Sequence, residues 1–329
     1  MNVFCDFHHG GLMYSLHLLW EKRLGYKMHT MGGMEWFDNG TWRLNNLRDT
    51  AKQYLLFSGG TSPTSVQKEG NETYTVDFIS FEDFKKTKFD YLVCTILEHE
   101  EPFLELQKKY QPQAKVIRQF GNVGDFTNGH VPNILNSTTN AVPQGLNTVT
   151  WREEFSIKDF HFEEPRGDNI ITSFLHNIKA WPGYNYFKGL KEHLPSFKIR
   201  EYGSASCDDG CCKEEELSAK MHESKFVYHV KAKGDGYGHN VHHAFACGRP
   251  LITALKDYQG QIAGQLMIPD KTVIDVSTIK VQDAAKKILE YSEPARHKQM
   301  CHDVYDQFKE VVDFDKEEQD VRKFLERCK

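Results

Sequence analysis

The sequence predicts an α/β protein of two domains, each built around a parallel sheet. Its 329 residues exceed the usual length of a single domain. Strand-like apolar runs alternate with segments of helical periodicity along most of the chain, which is typical of βαβ units. A polar, turn-rich stretch from Phe162 to Asp168 separates two such series. We therefore expect an N-terminal domain over residues 1–165 and a C-terminal domain over residues 166–329.

The composition restricts the classes of partner. Hydrophobic residues make up 39% and charged residues 26% of the chain, which is ordinary for a soluble globular protein. A net charge of −5 argues against attraction of the whole surface to nucleic acid or anionic lipid, although a local basic groove would be compatible with it. No apolar run has the length of a membrane span, and the first residues do not resemble a signal peptide. The expected location is the cytoplasm.

The sequence shows no convincing metal-binding pattern. Its eight cysteines are scattered, and in the absence of a secretion signal we interpret them as reduced thiols. Only Cys207, Cys211 and Cys212 cluster, and no second ligand pair at zinc spacing accompanies them. His239 and His243, four residues apart, likewise lack a third ligand at a recognised spacing. We therefore expect no metal site.

In the first domain, a glycine turn follows the first strand. The pattern predicts a strand from Asn2 to Phe7 and a helix from Leu12 to Leu24. Between them lies the run His8-His9-Gly10-Gly11, where the glycines let the backbone approach a ligand closely. The polar stretch over 39–75 predicts loops with one helix over 48–57. The turn at residues 8–11 is thus the candidate binding feature of this domain.

In the second domain, a glycine-rich turn joins a strand to a helix. The strand predicted over 225–230 leads into Gly234, Gly236 and Gly238, and a helix is predicted from Asn240 to Cys247. Such a turn presents backbone N–H groups and the positive end of a helix dipole, which suits a phosphate or diphosphate. Gly-x-Gly-x-Gly is a weak signal by itself, and a plain connecting loop is the alternative.

A longer run around this turn resembles a known signature. The residues from Asp235 to Ile252 read Asp-Gly-Tyr-Gly-His-Asn-Val-His-His-Ala-Phe-Ala-Cys-Gly-Arg-Pro-Leu-Ile. The run is similar to the donor-binding signature of GT-B glycosyltransferases, which reads Glu-Gly-Phe-Gly and then Glu-Ala-Met-Ala-Cys-Gly-x-Pro-Val-Ile. The resemblance implies two Rossmann-like domains facing each other across a cleft, with the closing helix packing back on the first domain. It also implies a glycosyltransferase, and the signature is more similar to that of enzymes that retain the anomeric configuration.

The resemblance assigns roles to individual residues. Asp235 corresponds to the family's first Glu near the donor sugar and is the predicted catalytic residue, with His8 or His9 as a base or sugar contact on the acceptor side. Gly10 and Gly11 would lie on the acceptor side. The donor-binding residues implied are Gly236, Tyr237, Gly238, His239, Asn240 and His243, with Lys179, Lys231 and Lys233 to supply positive charge. The expected co-substrate is a nucleotide-diphosphate sugar, with a UDP-sugar as the first candidate and no metal or other cofactor.

The sequence departs from the family pattern at two positions. His243 stands where the family usually has the Glu that holds the ribose, and Pro182 stands where it has a diphosphate-binding Lys. Imidazole binds a diol less strongly than a bidentate carboxylate.

Three other functions therefore stay open. They are glycosyl transfer to a modified base in DNA, non-catalytic binding of a nucleotide or glycan, and, less favoured, a nucleotide-sugar epimerase of similar build. The leading hypothesis is transfer of a sugar to a glycan or small-molecule acceptor.

Overall fold

The protein consists of two compact α/β units. The computed structural model describes residues 1–6, 10–31, 64–69, 72–79, 81–127, 129–203 and 207–329. Unit 1 comprises Met1–Phe155 and Phe314–Lys329, and unit 2 comprises Ser156–Asp313. Each unit has its own sheet with helices packed on it, which confirms the predicted α/β class. In the part of the chain that is described, no helix is long and apolar enough to cross a membrane.

The described sheet of unit 1 has eight strands, in the order β3-β4-β2-β1-β5-β6-β7-β8. They are β1 Asn2–Cys5, β2 Lys27–Met31, β3 Thr64–Glu69, β4 Glu72–Ile79, β5 Tyr91–Cys94, β6 Lys115–Phe120, β7 Asn133–Asn136 and β8 Asn147–Thr150. All neighbours pair in parallel except β3 and β4, which form an antiparallel pair. The sequence predicted loops over the residues of β3 and the start of β4, and that prediction was wrong. The helix expected over 48–57 lies outside the described residues.

Helices cover both faces of this sheet. The first, α1 Gly10–His17, continues as a π-helical turn, Leu18–Arg23, and packs on one face with the C-terminal helix α9, Phe314–Glu326. The helices α2, Phe81–Lys86, and α3, Glu100–Tyr110, contribute to a cluster on the other face. Residues of β1 point alternately to the two faces, as the period of a strand requires. The sheet therefore has an apolar core on each side.

The described part of unit 2 contains five parallel strands in the order β10-β9-β11-β12-β13. They are β9 Ile170–Ser173, β10 Lys198–Glu201, β11 Phe226–Tyr228, β12 Leu251–Thr253 and β13 Val273–Asp275. The helices are α4 Gly183–His193, α5 Glu214–Glu223, α6 His239–Ala246, α7 Val281–Tyr291 and α8 Pro294–Val311. From β9 the chain adds β10 on one side and then β11 on the other. The strand order thus reverses between β9 and β11, and in such sheets ligands bind beyond the carboxyl ends of the strands at that point.

The turn after α6 is determined by close packing. Gly248 has φ +66°, and a Cβ at this position would lie 2.6 Å from the ring of Phe162. The next residue, Arg249, is fully buried and donates hydrogen bonds to the carbonyl oxygens of Glu163, at 2.9 Å, and His222, at 3.1 Å. Glycine and arginine at these two positions therefore hold the segment around residue 162 against α6 and the end of α5.

A charged pair attaches α9 to the end of β8. The guanidinium of Arg152 pairs with the carboxylate of Glu317, and the Arg152 backbone N–H donates to the same carboxylate at 2.7 Å. Both side chains are nearly buried, 9% and 12% exposed. Removing one partner of such a pair leaves the other charge buried without compensation.

We therefore expect Glu317→Gln to lower the free energy of unfolding by about 3 kcal/mol, measured by urea denaturation. The matched control is Asp320→Asn on the same helix, since Asp320 is 42% exposed and pairs with Lys323 at 3.3 Å. This control should cost less than about 0.5 kcal/mol. An equal loss of unfolding free energy in the two variants would contradict the role of the Arg152–Glu317 pair in attaching α9.

Candidate functional site

A cavity of about 390 Å³ opens in unit 2 where the strand order reverses. Its walls come from the loop after β9, the loop after β11 and the start of α6. The lining residues are Phe174, Leu175, His176, Asn177, Ala180, Trp181, Lys231, Asp235 and Asn240. Both polar and apolar side chains line it, and its volume lies in the range of small-molecule binding sites.

Hydrogen bonds fix the loop after β9. The indole N–H of Trp181 donates to the carbonyl oxygen of His176 at 3.1 Å, and His176 Nδ1 lies 3.1 Å from the carbonyl oxygen of Gly203. Asn240, on the first turn of α6, donates to the carbonyl oxygen of Phe174 at 3.1 Å. The side chains on this wall are thus held by local contacts before any ligand arrives.

A glycine brings the two loops together. A Cβ on Gly183, the first residue of α4, would lie 2.7 Å from the carbonyl oxygen of Val230. The hydroxyl of Tyr228 donates to the Gly183 carbonyl at 2.7 Å. Because of this close approach, Lys231 Nζ lies over the ring of Trp181, 5.1 Å from its centre. The cation–π contact joins the two walls of the cavity.

The predicted glycine turn is present and strongly curved. Lys233, Gly234, Gly236 and Gly238 all have positive φ, between 58° and 78°. A Cβ on Gly234 would lie 2.6 Å from the backbone carbonyl oxygen of Asp257, and φ is +78°, so glycine is required there. The turn leads directly into α6, whose start has no side-chain cap. The helix dipole therefore places partial positive charge at this end, beside Asn240 and the cavity.

Asp235 is held between two basic side chains. His229 Nε2 lies 3.0 Å from one carboxylate oxygen, and the ammonium of Lys231 pairs with the other. His229 is fully buried at the end of β11, and its own backbone is fixed by bonds to β12, including one from Thr253 Oγ1 to its carbonyl at 2.6 Å. Asp235 is 17% exposed, so its carboxylate is positioned by protein groups and still reaches the cavity.

The contacts of Asp235 keep its carboxylate ionised. Burial alone would raise the pKa of Asp235, but the hydrogen bond from His229 and the charges of His229 and Lys231 lower that pKa to about 2. The side chain is therefore a fixed negative charge at neutral pH. It cannot act as a proton donor there, but it can stabilise positive charge that develops in the cavity.

The structure brings only part of the predicted donor set to this cavity. Lys231, Asp235 and Asn240 line it, and Gly236 and Gly238 shape its turn. Lys233 is exposed, and its carbonyl oxygen accepts a hydrogen bond from Gln261. Lys179 Nζ lies 2.8 Å from Asp208 and 3.6 Å from Glu201 near β10, and the residue is not among those that line the cavity.

The aromatic residues of α6 face the core. His243 is 2% exposed and stacks on Phe160, with ring centres 3.8 Å apart. Burial lowers the pKa of His243 well below its usual value, so its imidazole is neutral. Tyr237 is also buried and stacks on His242, with ring centres 4.1 Å apart, while His239 packs against the edge of Tyr237. His243 therefore packs in the core against Phe160 and is not one of the residues that line the cavity.

Sequence reasoning missed His229. This residue sits at the end of a strand six positions before Asp235, inside a run that reads as ordinary strand. A polar residue ending a parallel strand near the glycine turn was the available signal. The structure also places Trp181 in the wall of the cavity.

In unit 1, the glycine turn is described only from Gly10 onward. Gly10 and Gly11 form the first turn of α1, whereas His8 and His9 lie outside the described residues.

A cavity of about 260 Å³ occurs at the ends of β5 and β6, lined by Thr95, Ile96, Leu97, Asn122, Val123, Gly124, Asp125 and Phe126.

Beside this cavity, a carboxylate fixes the loop after β5. Asp6 is fully buried and accepts hydrogen bonds from the backbone N–H of Thr95 at 2.7 Å and from His99 Nδ1 at 2.7 Å. Burial would raise the pKa of Asp6, but these bonds and the charge of His99 lower it. Asp6 therefore organises the loop that carries Thr95, one wall of the unit 1 cavity.

Comparison with known proteins gives matches at the level of structure. No protein-family model and no curated protein sequence matches the chain. A glycosyltransferase from Rickettsia africae is similar over 99% of this chain and 98% of its own, with 10% identity and a TM-score of 0.69. HepE from Anabaena, in complex with UDP, is similar over 99% of this chain and 100% of its own, with 10% identity and a TM-score of 0.65.

A further match is an α-glucosyltransferase in complex with UDP and a 13-mer DNA containing a central A:G mismatch. It covers 99% of this chain and 100% of its own, with 11% identity and a TM-score of 0.67. At such identities the likeness concerns architecture, and it extends over both units. The chain therefore has the GT-B fold of glycosyltransferases, as the signature from Asp235 to Ile252 implied.

Proposed function

We propose that the protein is a glycosyltransferase that transfers a sugar from a nucleotide-diphosphate sugar to an acceptor hydroxyl. Unit 2 binds the donor and unit 1 the acceptor. The observation that carries the proposal is the ionised Asp235, paired with Lys231, in the wall of the cavity at the strand reversal. UDP is the favoured nucleotide because HepE and the α-glucosyltransferase with DNA are complexes with UDP.

The diphosphate would bind at the start of α6. There the backbone of Gly236 and Gly238 allows close approach, the helix dipole is positive, and Lys231 supplies a charge. The base or the sugar would lie against Trp181. Asn240 is the side chain of α6 that lines the cavity, so we assign it the polar contact to the donor that the family pattern gives to the position of His243.

The reaction breaks the bond between the anomeric carbon and the diphosphate oxygen and forms a bond from that carbon to the acceptor oxygen. The proton of the acceptor hydroxyl passes to a base, for which His8 or His9 remains the proposal. The transition state has oxocarbenium character, which the negative charge of Asp235 stabilises. Positive charge at Lys231 and the helix end offsets the charge that builds on the leaving diphosphate, so we propose catalysis without a metal in the donor site.

The acceptor is proposed to be a glycan or a small molecule. A modified base in DNA is the second candidate, since the α-glucosyltransferase that shares the fold is a complex with DNA. A net charge of −5 weighs against this candidate. Binding to duplex DNA that weakens steeply with salt would favour it.

The first experiment measures UDP and UDP-glucose binding by calorimetry, with and without chelator, and UDP release from UDP-glucose with water or glycans as acceptors. Binding that chelator leaves unchanged, together with UDP release, is the expected result. Binding of UDP-glucose without release of UDP from it would indicate a binding module. If neither UDP nor UDP-glucose binds, the proposal of a UDP-sugar donor fails.

Asp235→Asn should separate binding from catalysis. We expect UDP release from UDP-glucose to slow by about 100-fold or more, because the charge that stabilises the transition state is lost. The dissociation constant of UDP should stay within about threefold of that of the wild type or fall, because Lys231 loses its carboxylate partner. Lys231→Met is the matched variant and should weaken UDP binding. The same loss of UDP affinity in both variants would contradict the assigned roles.

The pH dependence follows from the lowered pKa of Asp235, about 2. A carboxyl whose pKa is lower in the folded protein stabilises the fold above its unfolded pKa, about 4, and this stabilisation is lost as pH falls towards 2. Asp235 should therefore add no acidic limb to the rate of UDP release between pH 5 and 8. A limb in that range that disappears in Asp235→Asn would show that the carboxyl titrates during catalysis.

Trp181→Ala should weaken UDP binding about five- to tenfold through loss of the aromatic wall. Trp181→Phe keeps a ring and should bind UDP nearly as well as the wild type. Calorimetric titration with UDP measures both. If the alanine and phenylalanine variants lose the same affinity, the ring of Trp181 does not contact the nucleotide.

A further inference from the structure

Three side chains with metal-ligand chemistry converge in unit 2, away from the cavity. Among the described residues, His161, Glu163 and His222 form one group whose ligand atoms all lie within 4.8 Å of one another. His222 is near the end of α5, just before the amino end of β11, and the other two belong to the segment that precedes β9. The group therefore lies at the amino edge of the sheet, opposite the edge that holds the cavity.

The hydrogen bonds of both histidines fix their tautomers. His222 Nε2 lies 2.8 Å from the carbonyl oxygen of His161, and His161 Nδ1 lies 2.9 Å from that of Lys158. A carbonyl oxygen only accepts, so each of these nitrogens carries the hydrogen. In a neutral imidazole the other nitrogen then has the lone pair. Zinc-binding histidines are oriented in this way, by donation of the second ring N–H to a backbone carbonyl or carboxylate.

The two lone-pair nitrogens are close to the same carboxylate oxygen. His161 Nε2 and His222 Nδ1 each lie 3.6 Å from Glu163 Oε1. That separation is too long for a good hydrogen bond. It is close to the spacing of about 3.4 Å that two ligands about 2.1 Å from a tetrahedral zinc ion would have.

The neighbourhood of the group supports a built site. Arg249 is buried and donates to the carbonyl oxygens of both Glu163 and His222, so it fixes the backbone of two of the three residues. Arg166 pairs with Glu163 Oε2 at 2.8 Å and leaves Oε1 towards the histidines. His161 is 52% exposed, which gives an ion and a water molecule access.

A nearby histidine–glutamate pair, in contrast, has ordinary hydrogen-bond geometry. His302 Nε2 lies 3.1 Å from Glu164 Oε1, an ordinary hydrogen-bond distance, and no third ligand joins them in the part of the chain that is described.

We propose that His161, Glu163 and His222 bind a zinc ion, with water in the fourth position. Two histidines and one glutamate form a known zinc-ligand set. The ion would attach the segment around residue 162 to the end of α5. That segment carries Phe160, which stacks on His243 of α6. We call this site a structural clip, because the ion would attach the segment that packs on α6 to α5. The proposal does not depend on the proposed transferase activity.

The test begins with the full chain after dialysis against chelator. Zinc is then titrated in competition with a chromophoric chelator, and cobalt is added separately to detect the visible absorption of a tetrahedral cobalt site. We expect one zinc ion per chain and a tetrahedral cobalt spectrum. A zinc stoichiometry near zero under competition would overturn the proposal.

Two variants and a control locate the ion. Glu163→Gln and His161→Asn should each weaken zinc binding by at least about tenfold and abolish the cobalt spectrum. His302→Asn, the matched control, should bind zinc like the wild type. His161 is half-exposed, so its variant still tests the site if Glu163→Gln does not fold. Unchanged zinc affinity in folded His161→Asn, or an equal loss in His302→Asn, would overturn the assignment.

Thermal unfolding gives a second readout. Zinc should raise the melting temperature of the wild type and of His302→Asn but not that of His161→Asn, because an ion that binds only the folded state stabilises it. The dissociation constant of UDP should be the same with and without zinc.

Discussion

The close approach of Gly183 to Val230 is the constraint on which the candidate site depends. It joins the first residue of α4 to the loop after β11, and no larger residue would leave room for the carbonyl oxygen at this contact. Because the two loops meet here, the contact between Trp181 and Lys231 joins the two walls of the cavity. The parallel pairing of β9 and β11 defines where a ligand can enter, and this contact defines the shape of the entrance.

The charged side chains of the cavity are held in place by a chain of contacts. His229 is held by β12 and holds Asp235, which in turn holds Lys231. The lowered pKa of Asp235 shows that the two bases outweigh the cost of burying the carboxylate. A nucleotide diphosphate that enters would therefore meet groups that already have their charge and direction, and little reorganisation would be needed.

The sequence predicted the fold class and the glycine turn that carries Asp235, because these depend on local periodicity and on glycines at positive φ. It did not predict contacts between distant segments. Nothing around His243 indicates that Phe160 would stack on it, and nothing near Lys179 indicates its partner Asp208. The strand β3 was missed because Val66 is the one apolar residue among its six, so the run lacks the alternation of apolar and polar residues that indicates a strand.

The turn after α6 shows that part of the sequence signature is required for packing. Gly248 is required by its φ and by the ring of Phe162, and Arg249 by the carbonyl groups that it satisfies. These demands are architectural, and they persist whether or not a sugar is ever transferred. A chain that exchanged Asp235 for a neutral residue would keep the Cys-Gly-Arg-Pro run unchanged. The Cys-Gly-Arg-Pro run therefore reports the architecture of the turn and not activity. Under the proposed function, the residue that would report activity is Asp235, at the other end of the signature.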